Sequence, residues 1–168
     1  MKITYEIEAL EYLSKLADGG MRDAITLLDK CLAYSTNLSI ENVVKALGTV
    51  DYETMFHLTD AIYDKDNAEV LKVIDDVHMS GKDLKQFVKT YTNFILDICK
   101  YEITGSFEFI EIPSVYKSRL DSYHINVGDT FGKLLSALVK LNADIKWETS
   151  PKPVIQSTLL LFNLYEGM

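Results

Sequence analysis

The sequence predicts an all-α chain, a small three-helix domain followed by a helical bundle. Three observations lead there. Nearly every segment keeps apolar residues at the 3.6-residue period, a capping residue stands before most of those segments, and the one strand-like stretch, FEFIEIP at 107–113, has no second strand to pair with.

From Glu6 to Ala17, Leu10, Leu13 and Ala17 with Ile7 and Leu16 form one stripe, which Gly19-Gly20 ends. A second helix runs from Met21 to Tyr34 with the stripe Met21, Ala24, Ile25, Leu28, Cys31 and Leu32, and Arg22 projects from the opposite face. Ser39 is the N-cap of a third helix carrying Ile40, Val43, Val44 and Leu47, and Gly48 is its C′ residue. That glycine marks the expected boundary between a domain of residues 1–48 and one of 49–168.

Asp51 caps a helix with Met55, Leu58 and Ile62; Asp66 with Glu69 makes a capping-box-like start for one with Val70, Val73, Ile74 and Val77, ended near Gly81. So short a connection predicts an antiparallel hairpin. Asp83 opens the longest pattern, with Leu84, Phe87, Val88, Tyr91, Ile95 and Ile98 on one face. Residues 105–127 read as an extended loop and then a short helix around Val115 to Tyr123. Asp129 caps a helix with Phe131, Leu134, Leu135, Leu138 and Leu141, and Ser150-Pro151 starts the last. That final helix is apolar nearly all round, so it is expected to be central or shared with a partner.

An apolar share of 48% in 168 residues is enough for a real core. The formal charge of −8 has the wrong sign for neutralising a long run of phosphates, which argues against extended nucleic-acid binding by this chain alone. Cys31 and Cys99 lie within apolar helical patterns and read as buried thiols in a reducing, cytoplasmic setting. No apolar run is long enough for a membrane span, and the N-terminus has no secretory profile.

No glycine-rich phosphate loop of the form G-x-x-x-x-G-K-[ST] occurs, so hydrolysis of a triphosphate by this chain in isolation is not expected. His57, His78 and His124 are scattered without metal-ligand spacing, and no metal site is expected. The pairs Asp75-Asp76 and Glu108/Glu111 read as solvated charge, and no catalytic residue is assigned. Trp147 reads as core or interface filler.

Arg22 stands out, because a cation in the opening turn of a helix opposes the macrodipole by a few tenths to about 1 kcal/mol. Beside free N–H donors that favour an anion, it would make a phosphate sensor; a merely solvated arginine is the alternative. Asp23, one position later, offsets part of the charge.

The string ALEYLSKLADGGMRDAITLLDKCLAYS, Ala9 to Ser35, resembles the lid domain of bacterial clamp-loader ATPases, the gamma/tau subunits of DNA polymerase III, in which a helix leads into G-[GS]-[ML]-R-D-A and a second helix. LSIENVVKALGTVDYETMFHLTDAIYDKD, Leu38 to Asp66, is similar to that family's junction into its collar domain. The resemblance implies that Arg22 is the sensor 2 arginine of an AAA+ protein, reaching ATP phosphates on a preceding ATPase domain. It implies a second-rank place for Met21 near the adenine, against which its apolar-stripe position favours core packing. ATP would be the cofactor of the full-length parent, an AAA+ ATPase within the DNA polymerase III holoenzyme (a DNA-directed DNA polymerase), and none is expected for this chain alone.

By the same resemblance the bundle would join other clamp-loader subunits in a collar, with a homo-oligomer as an option. Sliding clamp, polymerase and DNA would be met only through the full assembly, and no membrane is involved. Because the chain starts almost at the lid, without Walker motifs, it is expected to be a fragment or the product of a truncated gene. A free-standing all-α interaction adaptor and the equivalent part of a replication factor C-type subunit are the alternatives, and ALGTVD at 46–51 favours the bacterial branch.

Overall fold

The structure, a computed structural model, describes residues 2–48, 51–123 and 127–165, with only the backbone considered at 127–129. In chain order the elements are β1 (Thr4–Tyr5), α1 (Ile7–Leu16), α2 (Met21–Tyr34), β2 (Asn37–Leu38), α3 (Ile40–Leu47), α4 (Tyr52–Tyr63), α5 (Asn67–Met79) and α6 (Leu84–Thr104). Short 3-10 turns at Phe107–Phe109 and Ser114–Tyr116 follow, then α7 (Lys117–Asp121), α8 (Val127–Ile145) and α9 (Pro151–Tyr165). The described residues are thus mainly helical, with a single two-residue strand pair among them, as the periodicity predicts. The chain groups into two compact units, Met1–Val50 with Thr104–Tyr123, and Asp51–Ile103 with His124–Met168.

In the first unit α1, α2 and α3 pack on one another. Ser39 Oγ accepts from the Asn42 N–H, and Gly48 closes α3 at φ 58°, a backbone region that a side chain would strain. Two details go beyond the sequence reading. Thr4–Tyr5 and Asn37–Leu38 form a two-residue parallel pair, and the Glu6 carboxylate accepts from the Ile40 N–H at 2.9 Å, so the start of α1 is tied to the start of α3. The expected α1 stripe needs correction as well: Ala9, Tyr12, Leu13 and Ala17 are buried, whereas Ile7 and Leu10 are exposed. Both arcs are apolar in sequence, and contact with α2 and α3 selects the one bearing the small Ala9.

The segment FEFIEIP is neither a strand nor a plain loop. Ser106 Oγ accepts from the Glu108 N–H and opens a 3-10 turn, after which Ile110 and Ile112 are buried. Residues 104–123, which the sequence boundary places in the second domain, group with the first unit, where Lys15 donates to the Phe107 and Ile110 carbonyls.

The second unit is a bundle of α4, α5, α6, α8 and α9. Gln156 and Lys152 meet Asp75, and Asn163 meets Asn67, so α5 and α9 run antiparallel. The apolar patterns of α4, α5 and α6 are buried as expected, with Phe56, Tyr91 and Phe94 at the centre. The ring of Phe94 meets Phe56 edge-on at 4.9 Å, and the buried Thr59 hydroxyl bonds the Tyr91 phenol at 3.0 Å. Desolvation raises the Tyr91 phenol well above the usual tyrosine range, so it stays neutral. The helix expected to start after Asp129 begins at Val127, which places Asp129 inside the first turn. The final helix is less enclosed than its composition suggests, since Ile155, Leu159 and Asn163 are buried while Leu161, Leu164 and Tyr165 are exposed.

Asp51 caps α4, accepting from the Thr54 N–H at 3.1 Å and hydroxyl at 2.7 Å, with Lys82 at 3.6 Å. Burial opposes its charge, but the Thr54 bonds and Lys82 outweigh that and hold the carboxyl below its ordinary value. A carboxyl depressed on folding stabilises above its unfolded pKa and loses that contribution as the pH falls through the folded value. The stability difference between wild type and Asp51→Asn, measured by urea unfolding, is therefore expected to shrink as the pH is lowered from neutrality to below about 4.

Candidate functional site

The turn between α1 and α2 is built from backbone conformations that few residues accept. Asp18 and Gly19 take φ of 47° and 78°, after which Gly20 returns to an extended conformation as the N-cap of α2. Gly20 offers no side-chain cap, and its carbonyl accepts the first helical bond from Ala24. The N–H groups of Met21, Arg22 and Asp23 consequently find no acceptor among the described residues. A Cβ at Gly20 would stand 2.8 Å from Asp23 Oδ2 and 3.2 Å from the Ala17 carbonyl, so the carboxylate lies folded over this turn.

Arg22 is exposed, and its guanidinium makes no hydrogen bond or ion pair among the described residues. It has not folded back onto Asp23 or another acid among the described residues. Met21 beside it is 76% exposed and Ile25 is 52% exposed, so the expectation that Met21 packs in the core is overturned. The physical reason is that α2 is covered in its C-terminal half, where Cys31 is buried, while its opening turns present their apolar side to solvent. An unpaired cation, three open N–H donors and an uncovered thioether stand together at one helix start. Such an arrangement offers donors to a phosphate and an apolar surface to a ring edge, with the Asp23 carboxylate over the same turn opposing the anion until it swings aside.

The remaining candidates resolve into structure. His57 Nε2 pairs with Glu69 at 2.8 Å, in a polar groove of about 270 Å³ between α4 and α5 where Lys72 and Lys82 also meet acidic partners. His78 lies in the last turn of α5, and His124 lies outside the described residues. Among the described residues no cluster of three or more His, Cys, Asp or Glu could hold a metal. Asp75 is held by Lys152 and Gln156, which makes it a helix-to-helix contact rather than half of a carboxylate pair. No described helix is long and apolar enough to cross a membrane.

Trp147, read as core or interface filler, is 85% exposed with the Lys146 ammonium 5.1 Å from its ring centre, so the core reading fails. It follows the end of α8, beyond the last buried residue of that helix, Ile145. As the sole tryptophan it should be quenched by acrylamide in the folded state nearly as well as in urea. A Stern–Volmer titration in both states checks this, and strong native-state protection would mean that the ring is covered.

Comparison with known proteins gives this helix start a context. The family model for the DNA polymerase III clamp loader subunit ATPase lid domain matches residues 1–37, and the model for domain III of DNA polymerase III subunits gamma and tau matches residues 38–125, more than half of the chain. The chain belongs to the DNA polymerase III gamma/tau family. Among gamma/tau relatives, the tau subunit of Bacillus subtilis (strain 168) is 22% identical over 156 residues, 90% of this chain and 27% of that protein. The tau subunit of Salmonella typhimurium is 34% identical over 80 residues, 47% of this chain and 12% of its own length. The gamma/tau subunit of Mycoplasma genitalium is 28% identical over 102 residues, 60% and 17% respectively. The chain thus spans about a quarter or less of the length of these relatives.

Within the gamma/tau match, Arg22 and Met21 fall in the region of the lid model. Sequence reasoning identified both positions and missed Glu6 and Lys15, whose partners lie 34 and more than 90 residues away. No local pattern announces such partners.

Proposed function

We propose that this chain supplies the nucleotide-sensing lid and a helical assembly module of a clamp-loader subunit. The observation that carries the reading is the exposed, unpaired Arg22 guanidinium on the opening turn of α2, beside open N–H donors, within the region that matches a clamp-loader lid. In the proposal Arg22 acts as sensor 2, contacting the phosphates of ATP held by an ATPase domain, so that nucleotide state biases the position of the lid. Met21, uncovered at the same turn, contacts the adenine. ATP is the ligand of that combined site, and this chain carries no hydrolytic machinery of its own.

The assembly role is assigned to the bundle, whose last helix leaves Leu161, Leu164 and Tyr165 open. Their partners would be other clamp-loader subunits, and the sliding clamp, polymerase and DNA would be reached only through the whole assembly. A formal charge of −8 suits protein contact better than an extended contact with nucleic acid.

The test is to join or co-express the chain with a cognate gamma/tau ATPase domain and measure ATP binding by equilibrium titration. Tighter binding than that of the ATPase domain alone is expected. No gain in affinity, with no co-sedimentation with clamp-loader subunits, would leave a free-standing adaptor as the better account.

A further inference from the structure

We infer that Trp147, with the ammonium groups of Lys85 and Lys146, forms a docking site for a short acidic segment of a partner protein that carries a bulky apolar side chain. The site lies wholly within the second unit, where α6 begins and α8 gives way to α9. It is independent of Arg22 and of any nucleotide.

An indole gains more from burial than almost any other side chain, yet Trp147 is left 85% exposed. The ring does not stand on a loose loop. Ile145, at the end of α8, is 1% exposed, and its carbonyl accepts from the Glu148 N–H at 3.1 Å. Glu148 Oε1 in turn accepts from the N–H groups of Thr149 and Ser150, and Lys85 Nζ donates to the Lys146 carbonyl at 3.2 Å. Because the turn is already fixed, the ring loses little freedom when a partner covers it.

Charge selects the kind of partner. The Lys146 ammonium stands 5.1 Å from the centre of the indole, and Lys85, after donating to the Lys146 carbonyl, keeps two further N–H donors. Neither lysine forms an ion pair among the described residues. The carboxylates nearest them in the chain are engaged elsewhere: Asp83 accepts from the backbone of Lys85 and Gln86, Glu148 from Thr149 and Ser150, and Asp144 pairs with Lys140 at 2.6 Å. Two uncompensated cations thus flank an open indole on a chain of formal charge −8. Carboxylates of a partner can pair with both while an apolar side chain packs on the ring. Met79, 81% exposed, stands at the same end of the bundle, because Asp75, one turn before it, meets Lys152 in the first turn of the antiparallel α9. A nucleic acid would carry its further phosphates along an acidic chain, whereas a short acidic peptide ends where the lysines end.

Trp147 is the sole tryptophan, so its emission reports on the site directly. In titrations of the full chain, the end-blocked pentapeptide Glu-Asp-Phe-Asp-Glu is expected to shift that emission to the blue and to protect it from acrylamide, saturably, with half the effect at about 1 mM. Replacing its phenylalanine by alanine weakens binding about threefold or more. Lys85→Gln and Lys146→Gln, which keep a polar side chain and remove the charge, each weaken it about threefold and together about tenfold, with the far-UV circular dichroism of wild type. No saturable change, equal binding of the neutral peptide Gln-Asn-Phe-Asn-Gln to the wild-type chain, or undiminished binding in the double variant overturns the proposal. A larger response to a thymidylate pentanucleotide than to the acidic peptide overturns it in favour of nucleic acid.

Discussion

If the proposed sensor role holds, Arg22→Ala is expected to weaken ATP binding about 10- to 150-fold in a protein that joins this chain to a cognate gamma/tau ATPase domain. Losing a charge-assisted arginine-to-phosphate bond costs on the order of 1.5 to 3 kcal/mol, and each 1.4 kcal/mol is a factor of ten. The same substitution should leave unfolding free energy within about 0.5 kcal/mol of wild type, because the side chain is exposed and has no partner among the described residues. That contrast separates a ligand-binding role from a structural one. Arg22→Lys should recover only part of the affinity, since an ammonium cannot reproduce the planar two-point contact of a guanidinium. Isothermal titration with ATP, beside urea unfolding of the chain alone, gives both numbers. Equal affinity for ATP in Arg22→Ala and wild type would remove Arg22 from nucleotide sensing.

Phe56→Ala should have the largest effect on stability, about 3 to 5 kcal/mol. Phe56 is fully buried and meets the edge of Phe94 at 4.9 Å, and Phe94 in turn lies 6.1 Å from Tyr91 and 6.3 Å from Tyr52. Truncation removes the transfer free energy of the ring, leaves a cavity that helices on several sides cannot all close, and forfeits an aromatic contact of roughly 0.5 to 1.5 kcal/mol. Against a typical domain stability of about 5 to 15 kcal/mol, that is a large fraction. Phe56→Leu, which keeps most of the volume, should lose much less. Far-UV circular dichroism in urea is the suitable measurement, since the tryptophan is exposed in the folded state. A loss below about 1 kcal/mol for Phe56→Ala would mean that the bundle repacks around the vacancy.

The elements legible in sequence are those whose cause is local. Ser39, Asp51 and Asp66 each accept from the N–H three residues on, and these short bonds need nothing from the rest of the chain. Pro151 and Gly48 likewise mark a start and an end through their own backbone preferences. The α5 and α6 stripes were also legible, because only one face of each helix is strongly apolar. Where two faces compete, as on α1, periodicity does not choose between them: it points to Ile7 and Leu10, whereas Ala9 and Tyr12 are the buried residues.

The candidate site divides in the same way. That an arginine and a methionine open α2 after a two-glycine turn is a property of the string itself. That Met21 is uncovered depends on what packs against the first turns of the helix, which a one-dimensional period does not contain.

From the sequence alone come most of the helices, the caps Ser39, Asp51 and Asp66 though not Asp129, the acidic composition, the family resemblance and the position of Arg22, because each rests on residues a few places apart or on composition. Tertiary structure alone decided which arc of α1 is buried, that Glu6 reaches α3, that Trp147 and one side of α9 are open, and that residues 104–123 join the first unit. The reason is physical: hydrogen bonds at helix ends are closed by near neighbours, whereas burial is a property of surfaces brought together from distant parts of the chain.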